Sequence, residues 1–386
     1  MTGARPVCML THSHYEEDPR VRREAESLVA AGIPVLVFGL RRPGEPAAEV
    51  IDGVELRRLD VQRHQGAGLG TYLVEYLAFL VRALFAATAA HRRRRFRAIH
   101  VHTLPDFLVF AALPLKLAGV PVILDLHEAM PEFFRQRFGA RIGEGGLRAR
   151  LAHRLLVAQE RASIALADAV LTVNDALGER LVAGGLRPDK LTVLLNTPSL
   201  ERWDPARHPA RPFRADGTLR LVYAGALTPV YELDVVVRAV AVLARHRPDL
   251  AVELDCFGRG DSADDLAALA VELGIADRVR FPGRIPLDAV PAAVAAADVG
   301  LAPTSRTAFT DFSLSTKLFE YAALGKPVVA SRLPTIARYF GDRALWTYEP
   351  GDPDSLATTL AALAGDPVER ERRAAAAAER TRELAW

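Results

Sequence analysis

Cysteine is scarce: the 386 residues contain two, Cys8 and Cys256. Each lies in an apolar, strand-like run in opposite halves of the chain, so both read as buried reduced thiols, and a disulfide framework is excluded. This points to a cytoplasmic protein, an expectation strengthened by an N-terminal stretch too polar for a secretory leader. No His/Cys cluster has metal-ligand spacing and no Gly-x-Ser-x-Gly elbow occurs, so neither a zinc site nor a hydrolase nucleophile is supported. A surplus of one charge sign is also missing: the formal net charge is +2, which gives no global case for nucleic acid as a partner.

Long uncharged apolar runs are absent too. The most apolar helical stretch, from Tyr72 to Ala90, carries Glu75 and Arg82, and a spanning helix would have to bury those charges. It is followed by Arg92 to Arg95, and two readings stay open: a surface helix with a solvated basic end, or peripheral contact with the anionic inner face of a membrane.

What is present is a globular composition, half hydrophobic and a quarter charged, in a chain too long for one ordinary core. Short β-branched runs alternate with longer helical patterns. The first series runs through Val7 to Thr11, Val35 to Gly39, Ala98 to Thr103, Val122 to His127, Val170 to Asn174 and Thr192 to Asn196. The second restarts at Leu221 to Gly225 and continues to Val328 to Ser331. This alternation predicts an α/β fold of two Rossmann-like, doubly wound domains. A Pro-, Arg- and Asp-rich linker falls between about Asn196 and Thr218. The expected domains are 1–205, 206–365 and a closing helix, 366–386, that packs back on the first. In such sheets, ligands bind at the carboxyl ends of the strands.

The segment TDFSLSTKLFEYAALGKPVVAS, from Thr310 to Ser331, is the most informative. Ser313 and Ser315 suit the cap of a helix that Lys317 enters and Gly325 ends. Free amides and a positive dipole end beside Lys317 make an anion site for which a diphosphate is the natural occupant. Glu320, one turn on, is placed to accept hydrogen bonds from ribose hydroxyls. Only four lysines occur, Lys116, Lys190, Lys317 and Lys326, and two of them flank this helix.

The run KLFEYAALGKPVVAS, with the Gly225 turn of LVYAGALTP, the CFGRGD turn and PGRIPLDAVPAAVAAADVGLAP, resembles family 4 of the glycosyltransferases. DPRVRREAESLVAAGIPVLVFG and VILDLHEAMPEFF are similar to the first half of that family. The resemblance implies a GT-B fold and metal-independent, retaining transfer from a nucleotide-diphosphate sugar to a hydroxyl acceptor, with no cofactor. It would give Glu320 the ribose, Ser315, Thr316 and Lys317 the diphosphate, and Arg284 with Ile285 the base, and would set His127 beside the transferred sugar. The predicted donor set also includes Gly225, Gly258, Arg259, Gly283, Asp311, Ser313 and Leu314.

Three departures stand out. Family members carry paired carboxylates eight positions apart, but Phe312 stands eight before Glu320, with Asp311 one place off. The usual Arg and Lys after the first glycine of the second domain are Ala226 and Tyr231, which makes Arg259 the candidate substitute. THSHYEED replaces the glycine-rich loop after the first strand.

The predicted acceptor set is His12, His14, Tyr15, Arg20, His102, Asp106 and Glu128. His127 and Glu128 follow the strand VILDL, where such sheets present catalytic groups. Of His100 and His102, on one strand, only one is expected to face the site, and His102 is nearer its end. Asp18 and Pro19 also fit a plain N-cap and first-turn proline.

Other functions remain as rivals. GRGDSA from Gly258 fits a dinucleotide fingerprint, but it sits on the second strand of its unit, and the next strand ends without the required carboxylate. A GT-B epimerase would need acid/base carboxylates around the sugar. A degenerate, non-catalytic GT-B subunit would explain the lost basic pair.

Overall fold

The computed structural model describes residues 4–62, 69–135 and 146–385. The chain forms two compact units, 1–194 and 195–386.

The first unit is an eight-stranded sheet in the order β3-β4-β2-β1-β5-β6-β7-β8. These strands are β1 (Val7–Leu10), β2 (Val35–Leu40), β3 (Ala48–Ile51), β4 (Val54–Leu59), β5 (Ala98–His102), β6 (Val122–Leu126), β7 (Ala169–Thr172) and β8 (Leu191–Val193). All neighbours are parallel except the β3–β4 edge hairpin. The central strands are buried on both faces, as their unbroken apolar runs demand. The hairpin is an addition to the sequence reading. Its signal was Asp52–Gly53, both with positive φ (50° and 79°), a two-residue turn whose twist matches the flanking strands.

The second unit is a six-stranded parallel sheet in the order β11-β10-β9-β12-β13-β14. The strands are β9 (Leu219–Ala224), β10 (Val252–Phe257), β11 (Val279–Gly283), β12 (Val299–Ala302), β13 (Val328–Ser331) and β14 (Trp346–Tyr348). Strand β14 also went unread in the sequence, being only three residues long. One core packs the helices Leu233–His246 and Pro353–Gly365, and another packs Thr316–Ala323 and Pro334–Phe340.

The division between units falls at Leu194, not at residue 205. Trp203, from the expected linker, lies in the second unit's core. The closing helix, Pro367–Leu384, contributes Ala377 to that same core and packs along the Thr316–Ala323 helix. Its small alanines allow this close approach within the second unit.

Candidate functional site

The order of the second sheet reverses at β9, which has β10 on one side and β12 on the other. Connections diverge there, and the strand ends leave room for a ligand. The helix Thr316–Ala323 starts beside this point. Ser315 is its N-cap residue, though its hydroxyl makes no capping bond, and Gly325 ends it at φ +68°. Leu318, Phe319, Tyr321 and Ala322 bury the inner face. Tyr321 Oη accepts the Ala224 N–H at 3.0 Å, which ties the helix to the end of β9. The Tyr321 ring occupies the space over Gly300, where a Cβ would come within 2.3 Å of it.

Lys317 leaves this helix toward Gly225. A Cβ at Gly225 would lie 2.5 Å from Lys317 Cε, so the glycine makes room for the lysine chain. The ammonium sits 4.4 Å from the centre of the Tyr231 ring and 5.0 Å from that of Tyr223. Lys317 is 8% exposed, and no carboxylate pairs with it among the described residues. Buried lysines ordinarily have an anionic partner. The aromatic faces supply part of the compensation, and the amide-rich helix start beside it favours an anion.

The ends of β9, β10 and β11 converge here. Gly225 N–H donates to Phe257 O, Leu227 N–H to Arg259 O and Gly258 N–H to Gly283 O, at 2.9, 3.0 and 2.9 Å. Gly258 has φ +143°, and a Cβ on it would come within 1.7 Å of Gly225 O, so only glycine allows the two turns to touch. Arg259 and Arg284 are exposed, while Ile285 and Glu320 are partly buried. Asp311 pairs loosely with Arg306 at 3.5 Å. Leu314 packs against the core, and Ser313 O accepts the Thr335 hydroxyl at 2.6 Å, so those two positions brace the loop. Lys326, the second lysine flanking this helix, has a different role. It turns inward to the Ala295 and Ala297 carbonyls at 2.6 Å, and burial brings its pKa down to about 8. It closes a helix end, so of the two lysines that flank this helix Lys317 alone turns toward Gly225.

In the first unit, a buried polar centre lies at the end of β6. Asp125, fully buried, accepts two hydrogen bonds from Arg20 at 2.8 Å each and one from His127 Nε2 at 2.9 Å. Arg20 also donates to Leu194 O at 3.0 Å. Burial opposes ionisation of Asp125, but His127 and Arg20 outweigh it and hold the carboxyl well below its ordinary range. Glu24, 3.1 Å from Arg20, is driven well above its ordinary range by burial and by the Asp125 charge. His100 and His102 are pushed down by burial and stay neutral. Ligand atoms of Glu24, His100, His102 and Asp125 lie within 4.8 Å of one another, with the Arg20 guanidinium already between the two carboxyls.

Several predicted acceptor residues are placed inside the unit. Tyr15 is 3% exposed and belongs to the β1–β2 core. His12 packs edge-on against Tyr76 and Phe79, with centroids 4.8 and 5.2 Å apart. Arg20 and His102 are consumed by the Asp125 centre. His100 and His102 are two residues apart and share a face, their rings 4.2 Å apart, so the expectation that only one faces inward is corrected. Asp106 is 1% exposed with neither carboxyl oxygen bonded, and burial raises its pKa to about 8. His14, His127 and Glu128 keep partial exposure. His127 is held by its backbone N–H on Thr103 Oγ1 at 3.1 Å as well as by Asp125. Asp18 caps the Pro19–Ala30 helix through the Val21 N–H at 3.2 Å, the plain role anticipated for it. Asp125 and Glu24 were missed. The signal was an acid inside the apolar strand VILDL, where a carboxylate must have a partner.

Residues 18–197 match the glycosyl transferase 4-like domain and residues 218–366 the glycosyl transferases group 1 domain, in that order along the chain. The chain belongs to the family 4 glycosyltransferases. A D-inositol 3-phosphate glycosyltransferase of Thermomonospora curvata is 26% identical over 94% of this chain and 85% of its own length. Among solved structures, sucrose-phosphate synthase from Thermosynechococcus elongatus superposes with a TM-score of 0.78 at 18% identity, covering 98% of this chain and 94% of that one. Anabaena HepE in complex with UDP-glucose gives 0.71 at 15% identity, with 98% and 95% covered. Both structures share the GT-B fold with this glycosyltransferase.

Proposed function

We propose that this glycosyltransferase moves a sugar from a nucleotide-diphosphate sugar to a hydroxyl acceptor in the cytoplasm, with retention at the anomeric carbon and without a metal ion. The observation that carries the donor reading is Lys317, a buried ammonium between aromatic faces at a helix start, with no carboxylate to neutralise it among the described residues. A diphosphate supplies that missing charge, and the N–H groups of Thr316 and Lys317 are its natural donors. Glu320 would then accept from the ribose, and Arg284 and Ile285 would border the base. HepE was solved with UDP-glucose, which agrees with such a donor.

Ala226 and Tyr231 lack the charge that family members use, so the leaving diphosphate would rely on Lys317, the helix amides and Arg259. In the first unit, the Asp125 centre fixes the His127 ring by one nitrogen, leaving the other for a sugar or acceptor hydroxyl. His14 and Glu128 are the partly exposed candidates for acceptor contact.

The test is a thermal-shift panel of nucleoside diphosphates on the purified chain. One of them should raise the melting temperature in a concentration-dependent way, and EDTA should leave the shift intact. Proton NMR of the glycosylated product should show the donor's anomeric configuration. No shift with any nucleotide would overturn the donor site, and an inverted product would overturn the retaining reading.

A further inference from the structure

The helix Leu69–Arg94 packs into the first unit through Phe79, Ala83, Ala87 and Ala90, all buried. Its opposite face is apolar as well. Leu73, Val74, Leu77, Val81 and Phe85 are 52, 67, 47, 49 and 68% exposed. Positions 73, 77, 81 and 85 recur every four residues, so they form one stripe along the helix. By length and composition this helix would suffice to cross a bilayer, but its other face is built into the protein core. It is therefore suited to lie on a membrane and not to span one.

A second helix repeats the pattern. In Leu147–Leu166, Leu147, Leu151 and Leu155 are 82, 57 and 61% exposed. The connections β4 to β5 and β6 to β7 run the same way across the sheet, and right-handed crossovers put both helices on one face. Both pack against the Asp106–Ala112 segment between them. A soluble surface seldom gathers so many large apolar side chains on one layer without a partner.

The charges indicate which partner. The only acid of the first helix, Glu75, is 5% exposed, on the buried side. At its end, Arg92, Arg93, Arg94 and Arg95 are exposed in succession. Arg94 pairs with Glu55, and the other three have no carboxylate among the described residues. A second copy of the chain docked on this face would present the same apolar and basic surface, with no negative charge to meet the arginines. An anionic lipid surface supplies both an apolar layer for the stripe and negative headgroups for the arginines.

We propose that the outer face of Leu69–Arg94, extended by Leu147, Leu151 and Leu155, docks the glycosyltransferase on an anionic membrane surface. This goes beyond the donor assignment and does not depend on it.

Co-sedimentation of the full chain with vesicles tests it, comparing pure phosphatidylcholine with phosphatidylcholine and phosphatidylglycerol in comparable amounts. Binding should require the anionic lipid and weaken as salt rises. Arg92→Glu with Arg93→Glu should lower partitioning on the order of tenfold or more. Leu77→Ser with Phe85→Ser, exposed positions whose loss leaves the core intact, should abolish it. The nucleotide thermal shift on each variant reports whether the chain is folded. Failure to sediment with an intact shift overturns the membrane proposal alone, and sedimentation without any nucleotide shift overturns the donor reading alone. Sizing by light scattering adds a third outcome: a dimer that the Leu77→Ser/Phe85→Ser variant dissociates would make a second copy the occupant, and the proposal would fall.

Discussion

At the end of β6, ionisable side chains answer one another, whereas at the end of β9 a single ammonium is answered only by aromatic rings. The first centre closes on itself: Arg20 neutralises Asp125, while burial moves Glu24 toward its protonated form and the two strand histidines toward their neutral forms. The second leaves Lys317 without a counter-ion among the described residues. Both lie at the carboxyl ends of parallel strands, yet a closed centre can only brace a neighbour, here His127, while an open one calls for a ligand. Burial of charge marks function only when the balance is left incomplete.

The comparison can be broken most forcefully at Asp125. Asp125→Ala would strand Arg20 inside the unit, and denaturant unfolding should show a loss of about 3 to 5 kcal/mol. A loss under about 1 kcal/mol would mean that water reaches the centre and that it is not closed. Lys317→Ala should behave in the opposite way. Its unfolding midpoint should barely fall, while calorimetry with the nucleoside diphosphate should show a dissociation constant roughly tenfold to a hundredfold higher, from about 1.5 to 3 kcal/mol of lost charge-assisted bonding. An unchanged dissociation constant would remove the phosphates from this helix start.

Asp106 sharpens the contrast as a third case, a buried carboxyl with no partner. Its folded pKa of about 8 lies above its unfolded value, so the native state binds the extra proton between these limits. The favourable contribution is complete at low pH and is lost as pH rises toward 8. Asp106→Asn should therefore gain on the wild type from about pH 4 to pH 8, by at most about 1.4 kcal/mol per pH unit. Parallel stability profiles for the two proteins would show that Asp106 is solvated or paired. The smallest effect is expected from Gly225→Ala. The new methyl should push the Lys317 chain aside and weaken nucleotide binding by less than Lys317→Ala does, with the fold retained. Wild-type affinity in that variant would show that the ammonium does not need its present seat.

Much of this was legible from local pattern. The alternation of apolar strands and amphipathic helices gave two doubly wound sheets, and Ser315 and Gly325 marked a helix start and a stop that the structure reproduces. Errors gathered where a side chain's direction depends on distant partners. Tyr15 looked like an acceptor contact and is a core ring, because the 3-10 turn Tyr15–Glu17 folds it under β1 and β2. Lys326, which sequence spacing sets at the end of the same helix as Lys317, closes carbonyls at the end of a separate helix. The histidine pair on β5 was assigned to opposite faces, although the period of two places both rings together.

Taken alone, the sequence determined the elements, their parallel winding and the chemistry offered at the strand ends, since these follow from hydrophobic period, capping and glycine placement over a few residues. Tertiary structure alone decided which charges are spent. Arg20 meets Asp125 across 105 residues and Lys317 lies against the rings of Tyr223 and Tyr231, because electrostatic compensation depends on distances in space that no local pattern records.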